Sequence, residues 1–256
     1  MTSRRSHKDI PWNSQTEDGQ VLLSMPWEVF VLGVAILSIV NLVLAVVVSN
    51  PHLDQIIAIM DTILILIFAV DLLRRLRVAK DNRAYLTKGW GWLDAVSIIP
   101  MLRIARILRI VRVIRVIDRM GGLGPAMRAF FANKATGGLL LVFLIAIVVM
   151  EFGSLAVLSV EHSDPDANIL TAEDAIWYLV VTMSTVGYGD HFPVTDAGRL
   201  IGSFIIVIGV GVFGTLTGFL ANVFLSPSEG TDAVPAEEQS PGSDEPAVAA
   251  VSSATT

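Results

Sequence analysis

The 256-residue sequence contains no cysteine, few charged residues and only four histidines. Without cysteine the chain can form neither disulfides nor thiolate metal sites, and no cysteine nucleophile is present. The histidines are too scattered to predict a metal centre, and we expect neither a cofactor nor an enzyme activity. Only 16% of the residues are charged whereas 53% are hydrophobic, which is too apolar for a soluble domain of this length. The composition therefore predicts an integral membrane protein.

Positive charge is missing from the end of the chain. Between Ala221 and Thr256 there is no Lys or Arg, while six acidic residues lie among Pro, Ser, Gly and Ala. Such a stretch has too little apolar surface to fold, so residues 226–256 are predicted to form a disordered, acidic cytoplasmic tail. At the other end, a polar stretch up to Gln20 separates the basic residues from the first apolar run, unlike in a secretory signal. Residues 1–24 are therefore predicted to be a cytoplasmic N-terminus.

Apolar runs long enough to cross a bilayer recur along the rest of the chain. A helix of about 20 residues spans a hydrocarbon core of about 30 Å. The predicted spans are residues 26–48, 53–78, 101–120, 137–160 and 198–225, and a shorter apolar segment covers 90–100. The N-terminus, the loop after the second span and the linker 121–136 are basic, whereas the loops at 50–54 and 161–174 lack Lys and Arg. By the positive-inside rule, both termini are predicted to be cytoplasmic.

A glycine-rich segment, Thr185–Asp190, follows a predicted half-length helix at 171–183 and lies between the last two spans. Non-helical backbone at membrane depth is tolerable where it lines an aqueous cavity. A ring of backbone carbonyls can replace the hydration shell of a cation, and Gly187 and Gly189 permit the unusual backbone that aims successive carbonyls at one axis. One such segment cannot encircle an ion, so four copies are needed.

Residues Trp177–Asp190, WYLVVTMSTVGYGD, closely resemble the pore of voltage-gated potassium channels. The resemblance implies an all-α membrane fold, and it makes residues 185–190 the potassium-selective filter segment. The implied ion-binding residues are Thr185, Val186, Gly187, Tyr188 and Gly189, with K⁺ placed at the first four. It also implies that Trp177 hydrogen-bonds Asp190 and that Tyr178 braces Tyr188.

Arginine recurs at every third position along the predicted helix 101–120, at Arg103, Arg106, Arg109, Arg112 and Arg115. Each charge inside a membrane costs a few kcal/mol, whereas a unit charge crossing a field of 100 mV gains about 2.3 kcal/mol. This pattern is typical of a voltage sensor. An alternative is a basic amphipathic helix that lies on the inner membrane surface.

Acidic residues at membrane depth favour the sensor interpretation. By the resemblance, Phe68 and Asp71 match the site where sensor arginines exchange partners past an aromatic ring, Asp94 completes it, and Asp61 matches the outer acid. Alternatively, Asp71 is an interfacial partner of neighbouring arginines. The segment 90–100 is only about 16 Å long as a helix, so the strength and sign of voltage dependence stay open.

The last span carries five glycines, of which Gly209 aligns with the hinge glycine of the family. Close helix packing is the alternative for any one of these glycines. Glu161 is expected to anchor the loop that precedes the pore helix, and Glu151 receives no assigned role. The ending Gly218–Phe224 resembles bacterial and archaeal relatives.

Together these features predict five regions. They are a cytoplasmic N-terminus 1–24, a four-helix voltage-sensor domain 25–120, a linker 121–136, a pore domain 137–225 and the tail 226–256. The pore domain comprises an outer helix 137–160, a pore helix 171–183, the filter segment and an inner helix 198–225.

We predict a homotetrameric voltage-gated potassium channel of a prokaryotic plasma membrane, in which each chain contacts three identical subunits and membrane lipid. No nucleic acid and no obligate soluble partner are expected. One alternative keeps the pore but makes the channel voltage-insensitive or opened by hyperpolarisation. A remote alternative is a secondary transporter, although the sequence shows no internal repeat.

Overall fold

A computed structural model of the protein describes residues 14–15, 21–79, 83, 114, 124 and 134–225. The predicted third helix and arginine helix, with Asp94 and the five arginines, lie outside these residues. The described elements are β1 (Ser14–Gln15), β2 (Val21–Leu22), α1 (Met25–Val47), α2 (Pro51–Val78), α3 (Lys134–Glu161), α4 (Ala172–Met183) and α5 (Asp196–Leu225). β1 and β2 pair antiparallel. This short ladder lies in the predicted N-terminal region, for which the sequence predicted no regular structure.

Four of these helices are long and apolar enough to cross a membrane, namely α1, α2, most of α3 and α5. The all-α membrane fold is therefore confirmed for the described part of the chain. The 12 residues of α4 make only about 18 Å of helix, which is too short to cross. Predicted and observed ends differ by up to three residues, because helices extend into the polar and proline-containing turns that flank the apolar runs.

α1 and α2 form an antiparallel pair joined by a tight turn. Pro26 and Pro51 occupy the first turns of the two helices, where the missing N–H costs nothing. Asn50 caps α2, because its side chain accepts a 3.0 Å hydrogen bond from the backbone N–H of His52.

The α1–α2 pair packs against α3 and α4 of the same chain through two apolar clusters. One joins Ile56 and Met60 of α2 to Leu158 of α3 and Leu179 of α4, all at most 1% exposed. The other joins α1 and α2 to α3, and includes Phe68. A Cβ at Gly33 would lie 2.5 Å from the Leu144 side chain, so α1 approaches α3 closely at this glycine.

Candidate functional site

The short helix α4 begins with a reciprocal cap. The backbone N–H of Asp174 donates to the Thr171 hydroxyl at 3.2 Å, and the Asp174 carboxylate accepts from the backbone N–H of Thr171 at 2.9 Å. Burial raises the pKa of Asp174, but hydrogen bonds from Leu170 and Thr171 outweigh it and hold the pKa below its usual value. The cap fixes where α4 starts and hence where it ends.

At its other end, α4 delivers the chain into the filter segment. The backbone N–H groups of Ser184, Thr185 and Val186 donate to carbonyls of the last turn of α4, at 3.0, 3.0 and 3.1 Å. All three N–H groups are therefore hydrogen-bonded to α4, which fixes the position at which the filter segment begins.

The filter segment has an alternating backbone. Thr185, Gly187 and Gly189 have positive φ values of 60°, 62° and 77°, whereas Val186 and Tyr188 between them do not. Such alternation turns successive carbonyls toward the same side of the chain. A Cβ at either glycine would meet nothing within 4 Å, so glycine is needed there for its backbone freedom and not for space.

Trp177 on α4 supports the segment from the side. Its indole N–H donates to Asp190 at 2.7 Å, which is the hydrogen bond implied by the resemblance, and its ring stacks on Tyr188 with centroids 5.9 Å apart. The bond from Trp177 lowers the pKa of the Asp190 carboxyl. The Tyr178 hydroxyl lies against α5, where a Cβ at Gly202 would be 2.7 Å from it. Within one chain, therefore, Trp177 contacts Tyr188, and bracing by Tyr178 stays a prediction.

Asn168 organises the turn after the filter segment. Its side chain accepts from the backbone N–H of Phe192 at 3.1 Å and donates to the Asp190 carbonyl at 3.3 Å, while its own carbonyl lies 2.7 Å from Nδ1 of His191. Sequence reasoning missed this residue, because a single Asn in a loop carries no pattern that distinguishes it.

The carboxylate of Glu161, at the end of α3, binds the start of α5, whereas the sequence predicted that it would anchor the loop before the pore helix. Its carboxylate accepts from the backbone N–H groups of Val194 and Thr195, at 2.9 and 3.0 Å, and from the Thr195 hydroxyl at 2.6 Å. A Cβ at Gly198 would collide with the same carboxylate. Three donors thus satisfy a side chain that is fully buried.

The predicted hinge residue Gly209 lies against the end of α4. A Cβ there would be 2.8 Å from the Met183 Cα, so the glycine permits a close approach of two backbones. This contact matches the packing alternative, and the hinge role stays a prediction. The predicted ion-binding residues themselves are exposed in the single chain, with Val186 54% and Tyr188 68% accessible.

A buried charge cluster lies near the start of α1 and the end of α2. Arg75 contacts Glu28 at 2.8 Å and Asp71 at 3.0 Å, and all three side chains are at most 2% exposed. The Trp27 indole N–H donates to Asp71 at 2.8 Å, and Phe68 is fully buried nearby on α2. The pairing of Asp71 with Arg75 is the interfacial arrangement left open by the sequence.

Other predicted sensor residues are only partly described. Asp61 accepts a 3.4 Å hydrogen bond from Ser38 of α1, whereas Asp94 and the arginines lie outside the described residues. Sequence reasoning missed Glu28; a carboxylate in the first turn of an otherwise apolar span was the available signal.

These features define a multi-pass membrane protein. Between two of its spans, a half-length helix leads into an exposed segment whose backbone conformation requires glycine. The family model described as "Ion transport protein" matches residues 24–228. The chain therefore belongs to the ion transport protein family, which places it among ion-transport proteins and not among enzymes.

Similar proteins are named as potassium channels. Over 73 residues the chain is 40% identical to a voltage-gated potassium channel of Aeropyrum pernix. The match covers 28% of this chain and 25% of the relative. Over 71 residues it is 45% identical to potassium voltage-gated channel subfamily A member 6 of Homo sapiens, and the match covers 28% of this chain and 13% of the relative. Potassium voltage-gated channel subfamily A member 4 of Homo sapiens is 44% identical over 71 residues, which are 28% of this chain and 11% of the relative. The chain thus spans a quarter or less of these relatives, and the resemblance stated from residues 177–190 is confirmed.

Proposed function

We propose that the protein is a potassium-selective channel. The observation that carries this proposal is the alternating backbone of residues 185–189 at the end of a helix too short to cross the membrane. Carbonyls aimed to one side suit the replacement of a hydration shell. The C-terminal end of α4 also carries partial negative charge, which favours a cation beside Thr185. Potassium passes through as cargo, and no resident cofactor is required.

We infer a homotetramer from the exposure of the filter segment and of α5. One segment supplies carbonyls on one side only, so a closed ring needs further copies around the axis. Phe204, Val207 and Val210 of α5 are 64%, 72% and 52% exposed, which gives neighbouring chains and lipid an apolar surface to cover. Light scattering of the purified protein should give four times the chain mass of 27.6 kDa after correction for detergent.

The selectivity test is a recording from purified protein in planar bilayers with unequal K⁺ and Na⁺ solutions. The reversal potential is expected to follow the K⁺ gradient. A reversal potential that follows Na⁺ would overturn potassium selectivity. A saturating flux insensitive to pore blockers would overturn the channel proposal and favour a transporter.

We further propose that the channel is voltage-gated and that the arginines at 103–115 carry the gating charge. Their spacing and the match to relatives named as voltage-gated support this role. Neutralising Arg109→Gln and Arg112→Gln should flatten the relation between open probability and voltage, with the exposed Arg77→Gln as the matched control. An unchanged slope would sink the sensor role of these arginines, whereas an open probability of the wild type that does not change with voltage would favour the voltage-insensitive alternative.

We propose a prokaryotic plasma membrane with both termini inside. The α1–α2 turn and the filter segment lie at one end of the helices, as the 2.6 Å bond between Gln55 and Glu173 illustrates. That end lacks Lys and Arg between residues 50 and 54 and between 161 and 174, whereas α2 ends in arginines. Labelling of a cysteine introduced at exposed Asp166 by a membrane-impermeant reagent added to intact cells tests this orientation.

A further inference from the structure

Two histidines meet where α2 packs against the end of α3. His52 lies in the first turn of α2, and His162 directly follows α3. Their ring centroids are 4.4 Å apart and the ring planes are tilted by 44°. Both side chains are partly exposed, so the pair is accessible to small solutes. Neither histidine has a role in the proposed filter or sensor.

The tautomer of His162 is set by its surroundings. Its Nδ1 lies 3.0 Å from the Leu170 carbonyl oxygen, which can only accept a hydrogen bond. Nδ1 must therefore carry the proton in the neutral ring, and Nε2 keeps its lone pair. Histidines that bind metals commonly donate their second ring N–H to a backbone carbonyl in this way.

His52 is held by its backbone while its ring stays available. Its N–H donates to the Asn50 side chain at 3.0 Å, and the neighbouring Pro51 restricts the first turn. Within the part of the chain that the structure describes, neither ring nitrogen of His52 makes a hydrogen bond. The two imidazoles thus lie side by side, one in the first turn of α2 and the other directly after the end of α3.

We propose that His52 and His162 form a binding site for a divalent transition-metal ion, with Ni²⁺ and Zn²⁺ as the fitting class. Imidazole nitrogen suits these ions, whereas Mg²⁺ and Ca²⁺ prefer oxygen ligands. Each imidazole would bind such an ion through a metal-to-nitrogen bond of about 2.0–2.1 Å. Among the described residues no group of three or more metal-ligating side chains exists, so water completes the coordination.

The bound ion ties α2 to α3 within one chain and holds the α1–α2 pair against the pore helices. Exposed carboxylates nearby, at Asp54 and Glu173, raise the local concentration of cations. Metal binding to the folded protein does not depend on conduction. The metal-site proposal can therefore be wrong while the proposed channel function is right, and the channel proposal can be wrong while the metal site exists.

The test uses the full chain, purified with a tag that contains no histidine and kept in detergent micelles. NiCl₂ is titrated by calorimetry, and the thermal unfolding midpoint is followed in parallel. We expect saturable binding that raises the midpoint. Removing an outer partner of a metal ligand already costs about 10–100-fold in affinity, so H52A and H162A should each raise the Kd by at least about tenfold. The double variant, which keeps neither imidazole, should bind at least as weakly as the weaker single variant.

His7→Ala is the matched control, since it removes a histidine outside the pair and should leave the Kd unchanged. H52Q and H162Q repeat the comparison with side chains closer in size to histidine. Their Kd is measured only on protein that elutes as one species in size-exclusion chromatography. Unchanged affinity in these variants, or a loss in only one of the two positions, overturns the two-histidine site.

Mixed assemblies decide whether one chain supplies both ligands. Chains carrying H52A are co-expressed with chains carrying H162A, so that no chain keeps the pair. The proposal predicts that the mixture binds as weakly as either variant alone. Recovery of binding would place the histidines on neighbouring subunits and would overturn a bridge within one chain.

Discussion

The α1–α2 pair and the α3–α5 region differ in how far a single chain completes them. In the most apolar stretch of α1, 44% of residues are buried, against 11% in α5. The α1–α2 pair buries charges that neutralise each other, Arg75 with Glu28 and Asp71. The α3–α5 region instead buries the carboxylates of Glu151 and Glu161 and exposes its filter segment. A single chain therefore covers more of the α1–α2 pair than of the α3–α5 region, whose exposed apolar surface is left for lipid and for the neighbouring copies proposed above.

The largest expected effect is in the filter segment. Gly187→Ala places a Cβ at a φ of 62°, where an L-residue costs about 1–2 kcal/mol, and each chain of the proposed tetramer would carry the strain. We expect loss of K⁺-selective current in planar bilayers. Gly211→Ala is the control, because its Cβ would meet nothing within 4 Å and Gly211 lies inside helix α5. Wild-type selectivity in Gly187→Ala would show that the alternating backbone is not required.

The next effect is in the charge cluster of the α1–α2 pair. Arg75→Met leaves Glu28 and Asp71 buried without their shared cation, which should lower the free energy of unfolding by about 3–5 kcal/mol. Thermal or denaturant unfolding in detergent measures the change. Arg77→Met, at an exposed position two residues further along α2, should stay close to wild type. Equal stability of the two variants would contradict a structural role for the cluster.

Glu161 tests how the α3–α5 region neutralises a buried carboxylate. Glu161→Gln replaces one acceptor oxygen by a donor that faces the N–H and O–H groups of Val194 and Thr195, at a cost of about 1–3 kcal/mol. The same unfolding assay applies. Asp166→Asn, at an exposed position on the loop that follows α3, is the control. A loss in Glu161→Gln no larger than the control would mean that the three hydrogen bonds are not stabilising.

Replacement of Glu151 should raise the free energy of unfolding, whereas replacement of Glu161 should lower it. Both its oxygens are buried with no hydrogen-bond partner among the described residues, as are both polar atoms of Asn41. Glu151→Met keeps most of the volume and removes the desolvated group, so the free energy of unfolding should rise by about 1–2 kcal/mol. Glu161→Met on the same helix should destabilise instead. Destabilisation by both would indicate that Glu151 has a partner in the assembled protein.

The smallest effect is a shift in acid sensitivity. The Trp177 hydrogen bond lowers the pKa of Asp190. The stabilisation of the folded protein by the charged carboxylate is therefore present above the unfolded-state pKa and is lost as pH falls through the lower folded-state pKa. Trp177→Phe should move the titration midpoint of this carboxyl upward, toward the ordinary value of about 3.9. Carbon-13 NMR of labelled aspartate measures it. An unmoved midpoint would mean that the indole does not stabilise the charged form.

Sequence reasoning located the spans, the half-length helix and the filter glycines because each depends on local properties. Apolar length predicts a membrane helix, since all its backbone hydrogen bonds close within the segment. The positive φ values at Gly187 and Gly189 follow from glycine spacing, whereas the one at Thr185 does not. By contrast, nothing local distinguishes Asn168 from other loop asparagines, or Glu28 as a partner of Arg75.

What the sequence determined by itself is therefore the number and order of the described spans and the position of the filter segment. Only the tertiary structure decided which residues meet: Arg75 with Glu28, Trp177 with Tyr188, His52 with His162, and Gly209 with Met183. Most of these contacts join residues far apart in the chain, and their partners are selected by how helices pack. Periodicity and composition carry no information about that packing beyond each helix's apolar surface.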